Sequence, residues 1–484
     1  MSKLIKSFAL VSAFSFITRG IGFVARIILT RNLLTYDLGL YQSALSLFHV
    51  FLALATSGLP LAVSRFFANG KIKGTLSSAL LLAIILSAIG ISLPIVFRST
   101  FLKVFSDPIS LNLFYYLLPV LPLTAVYSLL RGALLGKEMF FHYSFTELFD
   151  ELIYFVSLFV LFLIFKDSPV AIYVPCISMI VSTLLASILC IILTLKNERL
   201  SLPQKDVLSQ LLKITLPITS TRVLSSAISA FTTLILPALY IRYGLSQKQA
   251  LSTIGLFSGV ISPLVFVSLS VIGPLCLVLL PDMAKKHSDS KSRLLHSFLF
   301  ISLLSAVILA FYLTYGEEIL LEIFLKKEGG EILRLCSFAI LPMGLNQLCS
   351  STLNAMGMER TGLINYIISS TFGILIIILL TPKISVFAQV LSLLIQPIIA
   401  LLLNLIKLCK SLKISLKELA KSLLPYLFFL PLTIISLSVK FLPFDFPSLI
   451  QIFISFVLLS LITLAFSYVL LPKTSLKLLK RKAN

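Results

Sequence analysis

The sequence predicts an all-α polytopic membrane protein with about 14 transmembrane helices, and three observations carry that prediction. Of its 484 residues, 58% are hydrophobic and only 12% are charged, whereas soluble domains carry about 25% charged residues. Apolar runs of about 18 residues or more, long enough to cross a hydrocarbon core of about 30 Å, recur from end to end. Short loops with an excess of lysine and arginine separate these runs, as between membrane spans.

Taken in order, each apolar run predicts one helix. The first run follows Lys3 and Lys6 and is not followed by a small-residue cleavage site, so we expect a retained helix rather than a signal peptide. Short loops leave no room for a soluble domain, so any function has to lie among the helices. The predicted spans are 8–30, 39–64, 75–97, 110–130, 148–165, 169–195, 211–240, 252–281, 294–315, 334–356, 361–381, 384–406, 420–439 and 448–471.

The distribution of basic residues predicts the orientation of the chain. With a cytoplasmic N-terminus, and with the span-end residues Lys213, Arg334 and Lys421 counted with the adjoining loops, 26 of the 40 Lys and Arg residues lie inside, 11 outside and 3 within spans. This excess predicts a multi-pass protein of the inner (cytoplasmic) membrane with both termini in the cytoplasm. The acidic segment 316–331 is expected as an external loop. The basic segments 407–421 and 473–482 are expected inside, where they can bind anionic membrane lipids.

An internal repeat predicts two six-helix lobes. Leu121-Pro122 and Leu341-Pro342 are 220 residues apart, and Pro60 and Pro281 are 221 apart. Gly39 and Gly255, 216 apart, and Arg19 and Arg222, 203 apart, follow in the same order. An even number of spans preserves orientation, which indicates a parallel repeat with substrate bound between the halves. The expected domains are 1–200, 208–408, and 419–484 for the two additional C-terminal helices and the basic tail.

Three arginines within predicted spans mark a candidate binding site. Arg19 and Arg26 are seven residues apart and share one face of the first helix, and Arg222 lies on the seventh. Each would cost roughly 2.5 to 3.5 kcal/mol near the bilayer centre if it faced lipid, so we expect a polar cavity. Guanidinium groups suit phosphate, which predicts an anionic substrate. The alternative is that Arg26 and Arg31 snorkel to an interface and Arg19 pairs with a buried carbonyl.

Two further arginines and a group of acids complete the predicted site. Arg65 and Arg131 lie at the cytoplasmic ends of their helices, where a head group would enter, although positive-inside anchoring explains them equally well. The candidate acidic partners are Asp37 and three acids near the start of the fifth predicted helix, Glu147, Asp150 and Glu151. A solvated helix N-terminus is the alternative explanation for those three acids.

Several function classes lack support in the sequence. Nucleophile and base pairs, metal-ligand spacings and phosphate loops are not found, so we expect neither an enzyme nor a metal or other cofactor. The net charge of +21 is spread over membrane loops, which does not indicate nucleic-acid binding. The six cysteines form no CxxC pair and are interpreted as small buried residues.

Ordered motifs over about the first 380 residues resemble a known family. The segments Thr18 to Gly22, Gly39 to Gln42 and Gly58 to Arg65 are similar to the start of the stage V sporulation protein B group of polysaccharide transporters. This group belongs to the multidrug/oligosaccharidyl-lipid/polysaccharide (MOP) exporter superfamily and is related to lipid II flippases. The likeness continues at Leu121-Pro122, Arg131-Gly132, Gly136, Leu216 to Arg222, Leu280-Pro281, Leu341-Pro342 and Asn354 to Gly357.

The resemblance implies a flippase that moves undecaprenyl-pyrophosphate-linked oligosaccharide, such as lipid II, to the outer leaflet by alternating access. Arg19 and Arg26 match cavity arginines of relatives, and the two additional helices match a lipid-tail groove. Many members carry Glu-Gln-hydrophobic-hydrophobic-Arg on helix 5, whereas this chain reads Asp150 to Tyr154, which keeps an acid but not the arginine. The coupling ion, H+ or Na+, stays open. The alternatives are a cation-coupled drug exporter, an enzyme on the same lipid carrier, and a cell-wall scaffold.

Overall fold

The computed structural model describes residues 3–56, 58–70, 73–195, 201–272, 290–441 and 448–470, and within these ranges the regular structure is helical throughout. Pro281, Cys276 and the basic segment 473–482 lie outside the described residues. The chain divides into two compact units, Met1–Gly259 and Val260–Asn484. The predicted all-α membrane fold is therefore confirmed.

The helices of the first unit follow from apolar runs punctuated by glycine, proline and capping residues. Asp107, for example, caps one helix by accepting from the Ile109 backbone N–H at 2.9 Å. In chain order these helices are α1 (Lys3–Asn32), α2 (Thr35–Thr56), α3 (Leu59–Ala68), α4 (Thr75–Val96), α5 (Arg98–Val104), α6 (Pro108–Leu117), α7 (Val120–Gly136), α8 (Phe140–Phe165), α9 (Val174–Leu195), α10 (Lys205–Tyr243) and α11 (Gln247–Leu256).

A π-helical segment, Phe257–Ile261, continues α11 to the boundary between the units. Beyond it the helices are α12 (Ser262–Ser268), α13 (Ser290–Glu318), α14 (Gly330–Ser337), α15 (Ile340–Ala355), α16 (Glu359–Ile384), α17 (Phe387–Leu412), α18 (Leu416–Leu423), α19 (Phe429–Lys440) and α20 (Ser448–Leu470). The repeat assigns α10 and α11 to the second half of the sequence, whereas both pack within the first unit.

The spans agree closely with the hydropathy prediction. Among the described residues, 12 helices are long and apolar enough to cross a membrane, and α14 with α15, bent by 43°, form a thirteenth candidate. The fourteenth predicted span corresponds to α20, whose residues Ile450–Ile462 form a shorter apolar helix. This is a multi-pass membrane protein.

Local chemistry interrupts two of the predicted spans. The span at 39–64 is divided into α2 and α3 next to Gly58, with Pro60 in the first turn of α3, where its missing N–H costs no hydrogen bond. The span at 110–130 is divided into α6 and α7 at Pro119, which precedes the first residue of α7. Neither break is visible in averaged hydropathy.

Two predictions about charged residues were wrong. The acids Glu147, Asp150 and Glu151 do not lie at a helix start, because α8 begins at Phe140 and carries them in its interior. The segment 316–331, which the sequence predicts as an external loop, is not all loop either, since a π-helical turn extends the helix to Ile323. In both places charged residues lie within helix rather than at its boundary, with Glu147 paired to Arg131 and Glu318 to Lys440.

The last two helices pack against α13. Ala306, Val307 and Ala310 of α13 form a buried cluster with Leu432 of α19 and Leu459 of α20. At one end of α13, Lys440 pairs with Glu318, and the hydroxyls of Tyr315 and Ser455 are 2.7 Å apart. The C-terminal helices are thus an integral part of the second unit.

Candidate functional site

The predicted arginine face of α1 contains a carboxylate between its two arginines. Arg19 is exposed and Arg26 is half-buried, with Gly22 between them on the same face. A Cβ atom added at Gly22 would lie 2.6 Å from Oε1 of Glu151, so the Glu151 side chain of α8 rests directly on α1. The missing side chain at Gly22 makes room for that carboxylate.

Arg26 also contacts the π-helical segment that follows α11. Its Nη1 donates to the backbone carbonyl of Gly259 at 3.2 Å. The guanidinium lies close enough to Glu151, Tyr41 and Tyr154 to interact with each of them electrostatically. Arg26 therefore has a protein acceptor and a nearby negative charge in this conformation, which explains how its charge is tolerated inside a span.

Arg131 is held inside the bundle by α8. Its Nη2 lies 2.6 Å from Oε2 of Glu147 and 3.4 Å from the carbonyl oxygen of Tyr143. The guanidinium carbon is 4.3 Å from the Tyr143 ring centroid and 5.4 Å from that of Tyr127, within cation–π range. Only 16% of the side chain is exposed. These contacts join α7 to α8, while Nε of Arg131 is buried without a hydrogen-bond partner.

Asp150 lies next to this ion pair. Its Oδ1 is buried without a hydrogen-bond partner. Its carboxylate is close enough to Arg131 and Glu147 to interact electrostatically with both side chains. Charged groups on α1, α7 and α8 thus form two neighbouring sets, Arg26 with Glu151 and Arg131 with Glu147 and Asp150.

Arg65 and Arg222 stand apart from these sets. Arg65 is exposed in the last turn of α3, and Arg222 is exposed on α10 between Pro217 and Pro237. Within the described ranges, no hydrogen bond or ion pair joins either guanidinium to another predicted site residue. Their place in a common site stays a prediction.

Sequence reasoning missed a polar network in the second unit. Asn365 Nδ2 donates to Asn404 Oδ1 at 2.8 Å, and Asn404 Nδ2 donates to Asn346 Oδ1 at 2.8 Å and to Ser350 Oγ at 3.1 Å. Asn404 is 2% exposed, so the network is a buried bridge between α15, α16 and α17. Isolated Asn residues within apolar spans could have predicted this network, because such side chains form hydrogen bonds between membrane helices.

The repeat predicted from the sequence pairs the helices of these two polar networks. Its offset of about 220 residues carries α7 and α8 onto α15 and α16; an ion pair joins α7 to α8, whereas α15 and α16 are linked by neutral amides through Asn404 of α17. Within the described part of the chain, no group of three or more His, Cys, Asp or Glu side chains is arranged to hold a metal ion.

Comparison with known proteins identifies the family. Residues 4–287 match the family model described as polysaccharide biosynthesis protein, which is more than half of the chain. The chain belongs to the polysaccharide biosynthesis protein family. Stage V sporulation protein B of Bacillus subtilis (strain 168) is 21% identical over 440 residues, covering 85% of each protein.

Solved structures confirm the fold of the MOP superfamily. A lipid II flippase, MurJ, in an inward closed conformation, matches with a TM-score of 0.71 and 17% identity over 95% of this chain and 99% of that chain. A multidrug resistance transporter of the MATE family in an inward-facing conformation matches with a TM-score of 0.64 and 12% identity, covering 84% and 99%. This chain therefore has the fold of MOP superfamily transporters.

Proposed function

We propose that this protein is a flippase that moves an undecaprenyl-pyrophosphate-linked oligosaccharide, lipid II or a related envelope precursor, from the inner to the outer leaflet by alternating access. The observation that carries this proposal is the arginine face of α1. Arg19 is exposed and Arg26 is half-buried in an apolar span, and one carboxylate, Glu151, lies between them. Two guanidinium groups against one carboxylate leave net positive charge for an anionic head group.

Family and fold support the same proposal. The family model concerns polysaccharide biosynthesis, and one of the matched folds is a lipid II flippase. An inside-negative potential favours outward movement of an anion by about 2.3 kcal/mol per charge per 100 mV if the charge crosses the whole field. The protein is then a transporter without enzymatic activity in the cytoplasmic membrane, with both termini in the cytoplasm and H+ or Na+ as the candidate coupling ions.

A cation-coupled drug exporter is the second candidate, since a MATE transporter shares the fold. Such a protein needs uncompensated acids in its cavity. Here Glu147 is paired with Arg131 at 2.6 Å, and Glu151 interacts with Arg26. Asp150 stands beside the Arg131–Glu147 pair with Oδ1 buried and without a hydrogen-bond partner, so it is the acid that a cationic substrate would use. Arg19 is exposed on the same helix face as Arg26, and among the described residues it forms no ion pair with an acid, which favours an anionic substrate.

Flipping of fluorescent lipid II in proteoliposomes tests the proposal. We expect Arg19→Gln, Arg26→Gln and Arg222→Gln to reduce the flipping rate at least tenfold with unchanged folding. Arg242→Gln is the matched control, because Arg242 is an exposed arginine in the last turn of the same helix as Arg222. Flipping by all three variants at the parent rate would refute the arginine site. Absence of flipping by the parent would favour another lipid-linked glycan or a scaffold.

A further inference from the structure

One face of α10 is buried against the first unit, and the opposite face is exposed near the start of the helix. Leu211 is completely buried in a cluster with residues of α2, α3 and α4. The backbone of Thr215 touches Gly58, since a Cβ atom added there would lie 2.5 Å from the Thr215 carbonyl oxygen. The N-cap residue Gln204 is fixed as well, because its backbone N–H donates to Ser78 Oγ of α4 at 3.0 Å. The first turns of α10 are therefore a rigid support for the side chains of the exposed face.

The exposed face carries an open groove of about 480 Å³. Lys205, Ser209 and Lys213 are spaced four residues apart and therefore share this face, and all three are exposed. Leu208 and Leu212 form the floor, because both line the groove and both pack against the same buried cluster. The α10 groove is lined by Lys205, Leu208, Ser209, Leu212, Lys213 and Leu216.

The α10 groove combines positive charge with an apolar floor. Lys205 and Lys213 are about 12 Å apart along the helix axis, and their flexible four-carbon stems let both ammonium groups turn towards one anionic group between them. Within the described residues, no ion pair joins either ammonium group to a carboxylate. Asp206 is exposed too, but it lies about 100° around the helix from Lys205. A soluble anion would leave the apolar floor unfilled, whereas a ligand with an anionic head and an apolar chain covers both parts.

The position of the groove in the membrane indicates which ligand of this kind it meets. The predicted topology places the start of α10 at the cytoplasmic face, and the helix then carries Leu216, which is 60% exposed, towards the hydrocarbon core. Lysine side chains near a helix end can snorkel to the level of the lipid phosphates. Anionic lipids of the cytoplasmic leaflet attract basic residues at that level.

We propose that the α10 groove binds one anionic phospholipid of the cytoplasmic leaflet, with its phosphate between Lys205 and Lys213 and an acyl chain along the leucines of the floor. Ser209 lies between the two lysines on the same face, where its hydroxyl can donate to the phosphate. The site is separate from the arginine face of α1, and it does not depend on which substrate the protein transports.

A single tryptophan reports which lipid occupies the groove. The chain contains no tryptophan, so Leu216→Trp supplies the only indole fluorophore, at an exposed position in the groove. Brominated phospholipids quench tryptophan on contact, so competition between brominated and ordinary lipids in reconstituted membranes gives the relative binding constant of each head group. Ile84→Trp is the control reporter, because Ile84 is 57% exposed in the middle of α4 and lies outside the groove.

We expect phosphatidylglycerol to bind about fivefold or more tightly than phosphatidylcholine beside Leu216→Trp, because two lysines near the membrane surface attract its negative charge. Adding Lys205→Gln/Lys213→Gln to this reporter should abolish the preference. Adding Lys103→Gln/Lys248→Gln should leave the preference unchanged, although it lowers the net charge equally. Both of these control lysines are exposed, lie outside the groove and are predicted at the outer face.

Equal binding constants for the two lipids beside Leu216→Trp would overturn the proposal. The same preference beside Ile84→Trp would overturn it as well, because it would indicate attraction by the whole protein. Thermal unfolding gives a second readout that needs no tryptophan, since a ligand that binds only the folded state stabilises it. Phosphatidylglycerol should raise the melting temperature of the parent more than phosphatidylcholine does, and Lys205→Gln/Lys213→Gln should remove this difference. If Leu216→Trp does not fold, persistence of the full difference in that double variant would overturn the proposal.

Discussion

The ion pair of Arg131 and Glu147 decides whether Arg131 is a structural residue or a substrate ligand. At 2.6 Å and an effective dielectric constant near 20, the gross attraction is about 6 kcal/mol. Desolvation offsets much of it, and Glu147 is 40% exposed, which weakens it further. Stacking on Tyr143 adds about 0.5 to 2 kcal/mol. We therefore expect Arg131→Met alone to destabilise the protein by about 2 to 4 kcal/mol.

A double-mutant cycle measures this coupling. Arg131→Met/Glu147→Leu removes both charges, and we expect it to be more stable than the sum of the single changes predicts by about 1 to 3 kcal/mol. Thermal unfolding of the purified protein in detergent, followed by intrinsic tyrosine fluorescence, gives the shifts. Additive single and double effects, within about 0.5 kcal/mol, would refute the structural interpretation.

Transport by the double variant separates the two roles. If Arg131 only braces α7 against α8, the double variant should flip lipid II at close to the parent rate per folded molecule. If Arg131 binds the head group, as the sequence predicts, flipping is lost even though stability is restored. Arg19→Gln provides the reference for loss of a binding arginine.

Three further predictions use other contacts. Asn404→Leu should lower stability by about 1 to 2 kcal/mol in a thermal shift assay, because its amide partners lose their bonds inside the bundle; an unchanged melting temperature would contradict the buried bridge. Gly132→Ala should lower the free energy of unfolding by about 1 to 3 kcal/mol, since the new Cβ meets the Pro60 backbone, while Gly20→Ala should leave it unchanged. Equal effects of the two substitutions would contradict close packing between Gly132 and Pro60. Glu151→Gln removes the negative charge beside Arg26, so inorganic pyrophosphate should bind several-fold more tightly to this variant than to the parent. Isothermal titration calorimetry measures the difference. Weaker binding would indicate that Glu151 is itself part of the pyrophosphate-binding site.

Much of the fold could be predicted from the sequence because membrane insertion of a helix depends on its local content of apolar residues. The predicted spans at 75–97 and 384–406 nearly coincide with α4 and α17, since about 20 apolar residues suffice to define a helix in lipid. The break at Pro119 also has a local cause, the missing N–H of proline, but averaged hydropathy conceals it.

Only part of the candidate site could be predicted from the sequence. Arg19 and Arg26 lie within a predicted span, where a charge that faces lipid is unfavourable, so the sequence predicts that they have a functional role. Their seven-residue spacing places them on one face of the helix. Neither cost nor spacing identifies a partner on another helix, however. The contact of Glu151 with Gly22 and the bond from Arg26 to Gly259 depend on how α1, α8 and α11 pack.

The sequence by itself determined the membrane class, the approximate spans and the excess of positive charge, because each follows from composition or local periodicity. Only the tertiary structure decided which charges neutralise each other. Arg131 forms an ion pair with Glu147 on the next helix. Gly39 and Gly255, which the predicted repeat pairs, both lie where α2 crosses α11. Such contacts join residues distant in sequence, and their energies depend on distances that one-dimensional patterns do not contain.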